Sequence, residues 1–430
     1  MATLLIFSAS MNVGHESRYF LQALLLNKPD LLSVPYKVKM VAKRLCLTER
    51  LVRDASLELA AAGLLVAKKL TDKVGRPGQE YEASPHLRVL IADTKMAPVA
   101  HQELVVRLFI EPDIYAQGPL PKAATEKSAR VLVRKDGLPA APGAHGRLGA
   151  ASRMILAALL ISADQCGFVS GLGESKLRAM TGLTAVAVRH QLKRLISLGF
   201  IRSHVPGVSS AVFKGSRVSS AYYLNLDHPQ LGAQPSSRAL AVYATRGPSK
   251  FETLAVGLPQ EAVRALRALE PATIDMLYHK LASCTSHLLA LMWGAVDDKY
   301  SEAESGIADM IAKELGQLQI GSTAQGEGIY WAGIHENFLD ATREWARSLH
   351  RRLCRKVWPG YRPESVRLMP GPEQHDTFRV TTVFAYPAPQ KQKACVVFWD
   401  EFNGRADHYG SEADLGFELR YAFGLLTAPA

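Results

Sequence analysis

Residues 183–201, LTAVAVRHQLKRLISLGFI, have the pattern of a capped amphipathic helix that runs into a strand. Thr184 is a good N-cap residue, because its side-chain oxygen can accept a hydrogen bond from the first helical turn. Val188 and Leu192 recur at helical spacing, which predicts one buried face. Gly199 favours the left-handed conformation that ends a helix, so we expect a strand from the next residue.

The same pattern occurs once more, 136 residues earlier in the chain. Residues 47–65 read LTERLVRDASLELAAAGLL, in which Thr48 and Gly63 precede Thr184 and Gly199 by that offset. Self-similarity at one offset indicates two copies of a single structural unit. The same offset relates three apolar pairs further upstream, namely Val41 with Leu177, Phe20 with Leu156, and Leu24 with Leu160.

Each copy is predicted to fold as three helices followed by a pair of strands. The second helix of copy two can end at Gly182, whereas copy one has Cys46 there, which is a poorer stop. Lys, Gly, Arg and Pro between the strands of copy one predict a cationic turn. The first two helices are expected at 16–26 and 38–45 and at 152–163 and 174–180, and the strands at 64–70, 79–83, 200–204 and 219–226.

This order of elements resembles the winged helix-turn-helix family of bacterial regulators. The resemblance is carried by the signature L-[ST]-x-x-x-V-x-x-x-L-x-x-L-x-x-x-G-[LF]-[IL], and it covers about 150 residues. Copy one departs from the signature at Ser56, where the pattern has an apolar residue. Copy two matches it throughout, at Leu183, Thr184, Val188, Leu192, Leu195, Gly199, Phe200 and Ile201.

In proteins of this family the third helix enters the major groove, and the hairpin, or wing, contacts phosphates or the minor groove. The resemblance therefore implies two sets of DNA-binding residues in each copy. The implied base-reading residues are Thr48, Glu49, Arg50 and Arg53 in copy one, and Thr184, Ala185, Arg189, His190 and Lys193 in copy two. The implied phosphate contacts are Lys68, Lys69, Lys73 and Arg76, and then Arg202, Lys214 and Arg217.

The charge of the chain agrees with a polyanionic partner. The formal net charge is +11, and a basic surface attracts nucleic acid. Residues 38–82 hold nine Lys or Arg and six Asp or Glu, whereas residues 152–227 hold nine and three. We therefore expect copy two to bind DNA more strongly. Asp54 and Glu58 on the third helix of copy one would oppose phosphates if they point outward.

The predicted fold class is α+β, with two winged helix-turn-helix domains followed by a mixed C-terminal domain. In the C-terminal domain we expect helices at 260–269, 272–296, 301–318 and 337–357, a hairpin of 378–386 with 394–399, and a final helical segment at 414–426. The domains are a first winged-helix domain at 1–90, a partly flexible connector at 91–150, a second winged-helix domain at 151–231, a linker at 232–257 and the C-terminal α+β domain at 258–430.

A basic stripe marks the helix expected at 337–357. Arg343, Arg347 and Arg351 recur every four residues, opposite an apolar face that includes Leu349 and Leu353. Such a stripe is either a solvated helix face or a surface for phosphates or an acidic partner. The sequence leaves both interpretations open.

Several classes of protein are not indicated. The five cysteines are far apart and form no C-x-x-C pair, which argues against a disulfide scaffold and a structural zinc site. The first eleven residues lack the basic segment of a signal peptide, and no apolar run reaches the roughly 20 residues that a membrane span needs. No catalytic motif is complete. We therefore expect no enzymatic activity, cofactor or metal, and a cytoplasmic, nucleoid-associated location.

The leading functional hypothesis is sequence-specific binding of double-stranded DNA for transcriptional regulation. The C-terminal domain would then mediate homo-oligomerisation, effector sensing or contact with a protein partner. Two alternatives stay open. The chain could be a plasmid or phage replication initiator, which also uses tandem winged helices, or a winged-helix scaffold for protein interactions.

Overall fold

The computed structural model describes residues 11–27, 34–70, 78–93, 99–111, 114, 147–210, 212–213, 217–231, 238–246, 248–294, 300–315, 327–374, 378–399 and 405–426. It mixes helices with strands and agrees with the α+β class. Two segments of the chain have the same order of helices and strands, and we call them copy one and copy two. A larger C-terminal region follows them.

Copy one begins with a helix and ends with a hairpin. Thr48 caps the third helix, and its hydroxyl oxygen accepts a hydrogen bond from the backbone N–H of Leu51 at 3.2 Å. Gly63, at φ +71°, allows the chain to turn from that helix into the first hairpin strand. The elements are α1 (His15–Asn27), β1 (Tyr36–Lys37), α2 (Val38–Arg44), α3 (Glu49–Ala61), β2 (Leu65–Leu70) and β3 (Gly78–Ala83), and the sheet order is β1-β3-β2.

Copy two repeats this arrangement with the same local signals. Thr184 caps the third helix by accepting a hydrogen bond from the N–H of Ala187 at 3.3 Å. Gly199 follows the helix at φ +77°. The elements are α6 (Ala150–Ser162), β4 (Phe168–Val169), α7 (Glu174–Thr181), α8 (Ala185–Ser197), β5 (Ile201–Val205), β6 (Val208–Ser209), β7 (Arg217–Val218) and β8 (Ala221–Leu224), with a β4-β8-β5 sheet and a separate β6-β7 pair.

The offset between the copies changes by one residue along the chain. α3 and α8 lie 136 residues apart, as expected, but α1 and α6 lie 135 residues apart. The predicted pairing of Phe20 with Leu156 and of Leu24 with Leu160 was therefore wrong by one position. The structure instead aligns Ser17-Arg18 with Ser152-Arg153, because the segment between the first and second helices is one residue longer in copy two.

This aligned arginine has the same buried role in both copies. The Nε–H of Arg18 donates to the carbonyl of Val13 at 3.0 Å, and the Nε–H of Arg153 donates to the carbonyl of Leu148 at 2.8 Å, in each case five residues upstream. Arg18 also donates to the carbonyl of Met180 at 2.9 Å, at the end of α7. A side chain of copy one therefore satisfies the backbone of copy two and ties the copies together.

One hydrophobic core joins both copies to the first part of the connector. Phe20, Val52, Leu156 and Val188, which come from the first and third helices of the two copies, are fully buried in it. The connector contributes α4 (Pro85–Asp93) and α5 (Gln102–Ile110), of which α5 buries Val105, Leu108 and Phe109. Residues 103–110 of the connector were expected to pack, which the burial of α5 confirms. Residues 117–149 were expected to be flexible; residues 117–146 lie outside the described residues, and Leu148 is fully buried.

The C-terminal region packs helices against a five-stranded sheet of order β10-β11-β9-β12-β13. The four helices predicted in this region are confirmed, and the one expected at 337–357 ends in a π-helical turn at Leu353–Val357. The elements are β9 (Ala239–Arg246), α9 (Lys250–Ala255), α10 (Gln260–Arg267), α11 (Pro271–Gly294), α12 (Tyr300–Glu314), α13 (Glu327–Arg352), β10 (Ser365–Gln374), β11 (Phe378–Tyr386), β12 (Cys395–Phe398), β13 (Ala406–Tyr409) and α14 (Phe417–Ala422).

The central strand of this sheet corrects two predictions. Residues 232–257 were interpreted as a linker, but β9 lies there, between β11 and β12. The predicted hairpin of 378–386 with 394–399 was wrong for the same reason, because β9 separates the two strands. Ala241 and Tyr243 of β9 face one hydrophobic core and Leu240 and Val242 face another, so this strand is buried on both sides.

The ends of α2 and α7 provide a test of the repeat. Cys46 takes the position of Gly182 and has φ 54°, the one positive φ of a non-glycine residue in the described part of the chain. Left-handed backbone costs an L-residue about 1–2 kcal/mol. We expect Cys46→Gly to raise the free energy of unfolding by about 0.5–1 kcal/mol, since the flexibility of glycine offsets part of that gain.

The matched variant at the other copy should have the opposite sign. Gly182 has φ +72°, and a Cβ added there would lie 2.8 Å from the carbonyl oxygen of Val13. Gly182→Ala should therefore destabilise the protein. Urea-induced unfolding followed by circular dichroism measures both changes. Equal signs for the two variants would contradict the structural equivalence of the two positions.

Candidate nucleic-acid interface

The third helix of copy two presents a basic face to solvent. Val188, Leu192 and Leu195 bury the opposite face of α8 in the common core. The exposed side includes Thr184, Arg189, His190 and Lys193, whereas Ala185 is half-buried. Four of the five base-reading candidates of copy two thus lie on one accessible surface.

Arg189 forms an exposed ion pair with the preceding helix, α7. Its Nε lies 3.3 Å from a carboxylate oxygen of Glu174, and its side chain is 63% exposed. Exposed ion pairs of this kind contribute about 0–1 kcal/mol. The guanidinium can therefore exchange this carboxylate for another acceptor at small cost.

The third helix of copy one has a mixed surface. Thr48, Glu49, Arg50 and Arg53 are all exposed, as the base-reading hypothesis requires. Arg50 forms an exposed (i, i+4) pair with Asp54 at 3.5 Å, so part of the positive charge of α3 is compensated locally. This face of copy one carries less free positive charge than that of copy two.

Glu58 was expected to oppose phosphates if it pointed outward, but it has a structural partner. One carboxylate oxygen accepts a hydrogen bond from the backbone N–H of Gly14 at 2.6 Å, and the other accepts one from the hydroxyl of Ser17. These donors lie at the start of α1, where a negative charge also interacts favourably with the helix dipole. Glu58 therefore holds α1 against α3.

A groove lies between copy one and the second helix of copy two. This groove has a volume of about 720 Å³ and is lined by Glu58 near the end of α3 and by Leu183 just before α8. Arg178 of α7 also lines it and is exposed. Arg178 was not among the predicted DNA-binding residues, because base-reading candidates were sought only on the third helices. The sequence did offer a signal, since Arg178 directly follows the buried Leu177 and is therefore expected on the exposed side of its helix.

The hairpin of copy one is described only in part. Lys68 lies on β2, where its Nζ is 2.8 Å from Glu82 and its side chain is 53% exposed. Lys73 and Arg76 lie outside the described residues, as does the side chain of Lys69. Lys68 is thus the phosphate-contact candidate of this hairpin that the structure places at the surface.

Arg202 of copy two is not a phosphate contact, which corrects the sequence prediction. Its side chain is 1% exposed. The guanidinium donates two hydrogen bonds to Glu412, at 2.9 and 2.7 Å, and lies 3.5 Å from Asp227. Arg420 donates to the same Glu412 carboxylate at 3.0 Å. The charge of Arg202 serves an internal network that joins copy two to α14.

The hairpin of copy two packs against the C-terminal region. Val212 and Phe213, between β6 and β7, are 1% exposed and belong to the core formed by α11, α12 and α13. The hydroxyl of Tyr223 on β8 donates to the carbonyl of Leu368 on β10 at 2.9 Å. Arg217 remains exposed on β7, and Lys214 lies outside the described residues. This hairpin therefore serves mainly as a contact within the protein.

Burial and ion pairs remove charges of both signs from the surface of copy two. Arg153 and Arg202, two of its nine basic residues, are buried and bound to internal acceptors. Of its three acidic residues, Asp227 pairs with Arg238 at 2.7 Å. Stronger DNA binding by copy two stays a prediction, and it now depends on α8 rather than on the hairpin.

The described residues offer little support for other chemistry. They contain no group of three or more His, Cys, Asp or Glu side chains arranged to hold a metal ion. The five cysteines are free thiols, and burial raises the pKa of Cys166 to about 12. Within the same residues, no helix combines the length and the apolar character that crossing a bilayer requires.

Comparison with protein-family models, with curated proteins and with solved structures found no match to this chain. The functional argument therefore rests on the residues and contacts described above.

Proposed function

We propose that this chain binds double-stranded DNA in a sequence-specific manner and that its two copies are winged helix-turn-helix units. The observation that carries the proposal is α8, whose exposed face bears Arg189, His190 and Lys193 above a buried apolar face. An α-helix fits the major groove, where an arginine can bind O6 and N7 of guanine together. In this model α8 reads bases, and regulation of transcription is the expected role.

Copy one would add a second contact on the same DNA. The common core and the hydrogen bonds from Arg18 to the end of α7 support a fixed spacing between α3 and α8. The two third helices differ in sequence, with Glu49 and Arg50 where α8 has Ala185 and Val186. A monomer would therefore recognise an asymmetric site composed of two unequal parts.

The test is selection of bound fragments from a genomic DNA library, followed by fluorescence-anisotropy titration of the enriched sequence. We expect one sequence to bind at least about 1,000-fold more tightly than random DNA, which is the lower end for specific regulators. Arg189→Ala should relax the preference at one base pair, whereas Arg264→Ala, an exposed arginine on α10, should not. Equal affinity for all fragments would refute the proposal.

Arg217 gives a prediction about affinity alone. As an exposed residue on β7 it would contact a phosphate, and neutralising one phosphate changes the slope of log K against log salt by about 0.9. Arg217→Ala should weaken binding to specific and random DNA by the same factor and reduce that slope by about one unit. An unchanged salt dependence would remove Arg217 from the interface.

A further inference from the structure

A pocket of about 440 Å³ lies where copy two meets the C-terminal region. Its lining includes Ile196 in the last turn of α8 and residues 202–205 of β5. The opposite side comes from His279 of α11, Gly371 of β10 and Tyr421 of α14. A ligand in this pocket would touch the proposed DNA-reading helix and the C-terminal region at the same time.

Two of the lining residues each have a buried side-chain nitrogen with no hydrogen-bond partner within the described residues. These atoms are Nε of Arg202 and Nε2 of His204. Arg202 uses its terminal nitrogens for Glu412 and for the carbonyl of Leu425, and its Nε–H is left over. Because an unsatisfied buried donor is unfavourable, an acceptor oxygen in the pocket would be bound there with a net gain.

The fixed charges around the pocket favour an anion with one negative charge. Arg202 and Arg420 share the carboxylate of Glu412, while Asp227, which lies near Arg202, is paired with Arg238. Lys250 pairs with Asp275 at 2.6 Å. This set of residues therefore carries one more positive than negative charge. Burial lowers the pKa values of His204 and His279, so both rings are neutral near pH 7 and add no charge.

Flat rings form much of the remaining wall. Tyr278 and Tyr421 line the pocket together with the two histidines. The ring of His204 is fixed by parallel stacking on Tyr222, with ring centroids 4.8 Å apart. A planar ligand would pack against these surfaces more completely than a branched aliphatic one.

We propose that this pocket binds a small aromatic monocarboxylate, whose carboxylate oxygen accepts the Nε–H of Arg202. Binding at this site does not depend on the proposed function. A second consequence rests on that function: since Ile196 belongs to α8 and Arg202 follows it on β5, occupancy would change the affinity for DNA.

Isothermal titration and thermal unfolding of the full chain with benzoate test the site, and benzamide is the neutral control of the same shape. We expect benzoate to bind and to raise the unfolding temperature, and benzamide to bind at least about tenfold more weakly because it lacks the charge-assisted hydrogen bond. The proposal would be overturned if benzoate did not bind at about 20 mM, a concentration about ten times a Kd of 2 mM. Equal binding of benzoate and benzamide would also overturn it.

Two substitutions locate the binding. Ser203→Phe fills the pocket from β5 and should abolish the benzoate response, whereas Ser175→Phe, at an exposed position on α7, should keep it. His204→Gln keeps a polar group and removes one ring, so it should weaken benzoate at least about threefold if stacking contributes. Benzoate binding unchanged in both pocket variants would place the ligand elsewhere and refute this site.

The proposed effect of the bound ligand on DNA affinity is tested separately. With the selected DNA sequence, benzoate should change the affinity of the original protein and not that of Ser203→Phe. Binding of benzoate without any change in DNA affinity would refute the coupling and leave the site intact. Failure to select any DNA sequence would refute the proposed function, while the titration with benzoate would still decide the ligand site.

Discussion

Replacing Glu412 with glutamine should lower the free energy of unfolding by about 3–5 kcal/mol. The carboxylate of Glu412 is 5% exposed and accepts hydrogen bonds from both Arg202 and Arg420. Glutamine keeps the shape but removes the charge, so two buried guanidinium groups lose their main counter-ion. Urea-induced unfolding followed by circular dichroism measures the loss.

Asp54→Asn is the matched control, because it also neutralises one carboxylate of an ion pair. The partner, Arg50, is 90% exposed, and the pair is an (i, i+4) contact on the surface of α3. We expect a loss of about 0.3–0.5 kcal/mol for that variant. A similar small loss for Glu412→Gln would show that the internal network contributes little and that copy two is held to α14 by apolar contacts.

The network also explains why the sequence misled us about Arg202. Its position at the start of a hairpin strand suited a phosphate contact, and nothing nearby in the sequence predicted a partner. Glu412 lies 210 residues further along the chain. Local patterns report helices, caps and turns, whereas the burial of a charge depends on which distant segment covers it.

The same distinction separates the confirmed elements from the missed strand. Thr48 and Thr184 cap their helices as predicted, because the capping hydroxyl oxygen and the backbone N–H that donates to it lie three residues apart. β9 could not be recognised from residues 239–246 alone. Its partners β11 and β12 come from residues 378–398, and strand formation depends strongly on such context.

The departure from the signature at Ser56 has a physical reason that cannot be read from the sequence of copy one. Ser56 is fully buried, and its hydroxyl oxygen lies 3.1 Å from the hydroxyl of Tyr36. The position of copy two that matches Ser56 is Leu192, which is buried in the same core. A hydrogen-bonded serine and an apolar leucine thus occupy matching positions, and a buried polar group is tolerated once it is satisfied.

The candidate site was predictable where it depends on one helix and not where it depends on contacts between regions. The exposed face of α8 follows from the helical spacing of Val188, Leu192 and Leu195. The packing of Phe213 into the C-terminal core cannot be predicted in this way, because it requires a distant partner such as Leu315, which directly follows α12. This packing, together with the burial of Arg202, leaves Arg217 as the described phosphate-contact candidate in the hairpin of copy two.

Joint replacement of Arg189 and Lys193 by glutamate should weaken binding to the selected DNA by at least about 100-fold, or about 2.7 kcal/mol. Both side chains are exposed on α8, so their loss removes contacts without disturbing the core. The two new carboxylates would also face the phosphates. Fluorescence anisotropy at fixed salt measures the affinity, and circular dichroism confirms that the fold is retained.

Net charge must be separated from position, because four units of charge are lost in this variant and the whole chain is basic. Arg264→Glu with Lys313→Glu makes the same change at exposed sites on α10 and α12. General electrostatic attraction would make the two double variants equally weak, and the difference between each variant and the original protein would shrink as salt screens the field. A contact through α8 predicts instead that the first variant alone loses its sequence preference, at low and at high salt. Equal losses for both variants would leave α8 without a special role and would remove the basis for DNA reading by this helix.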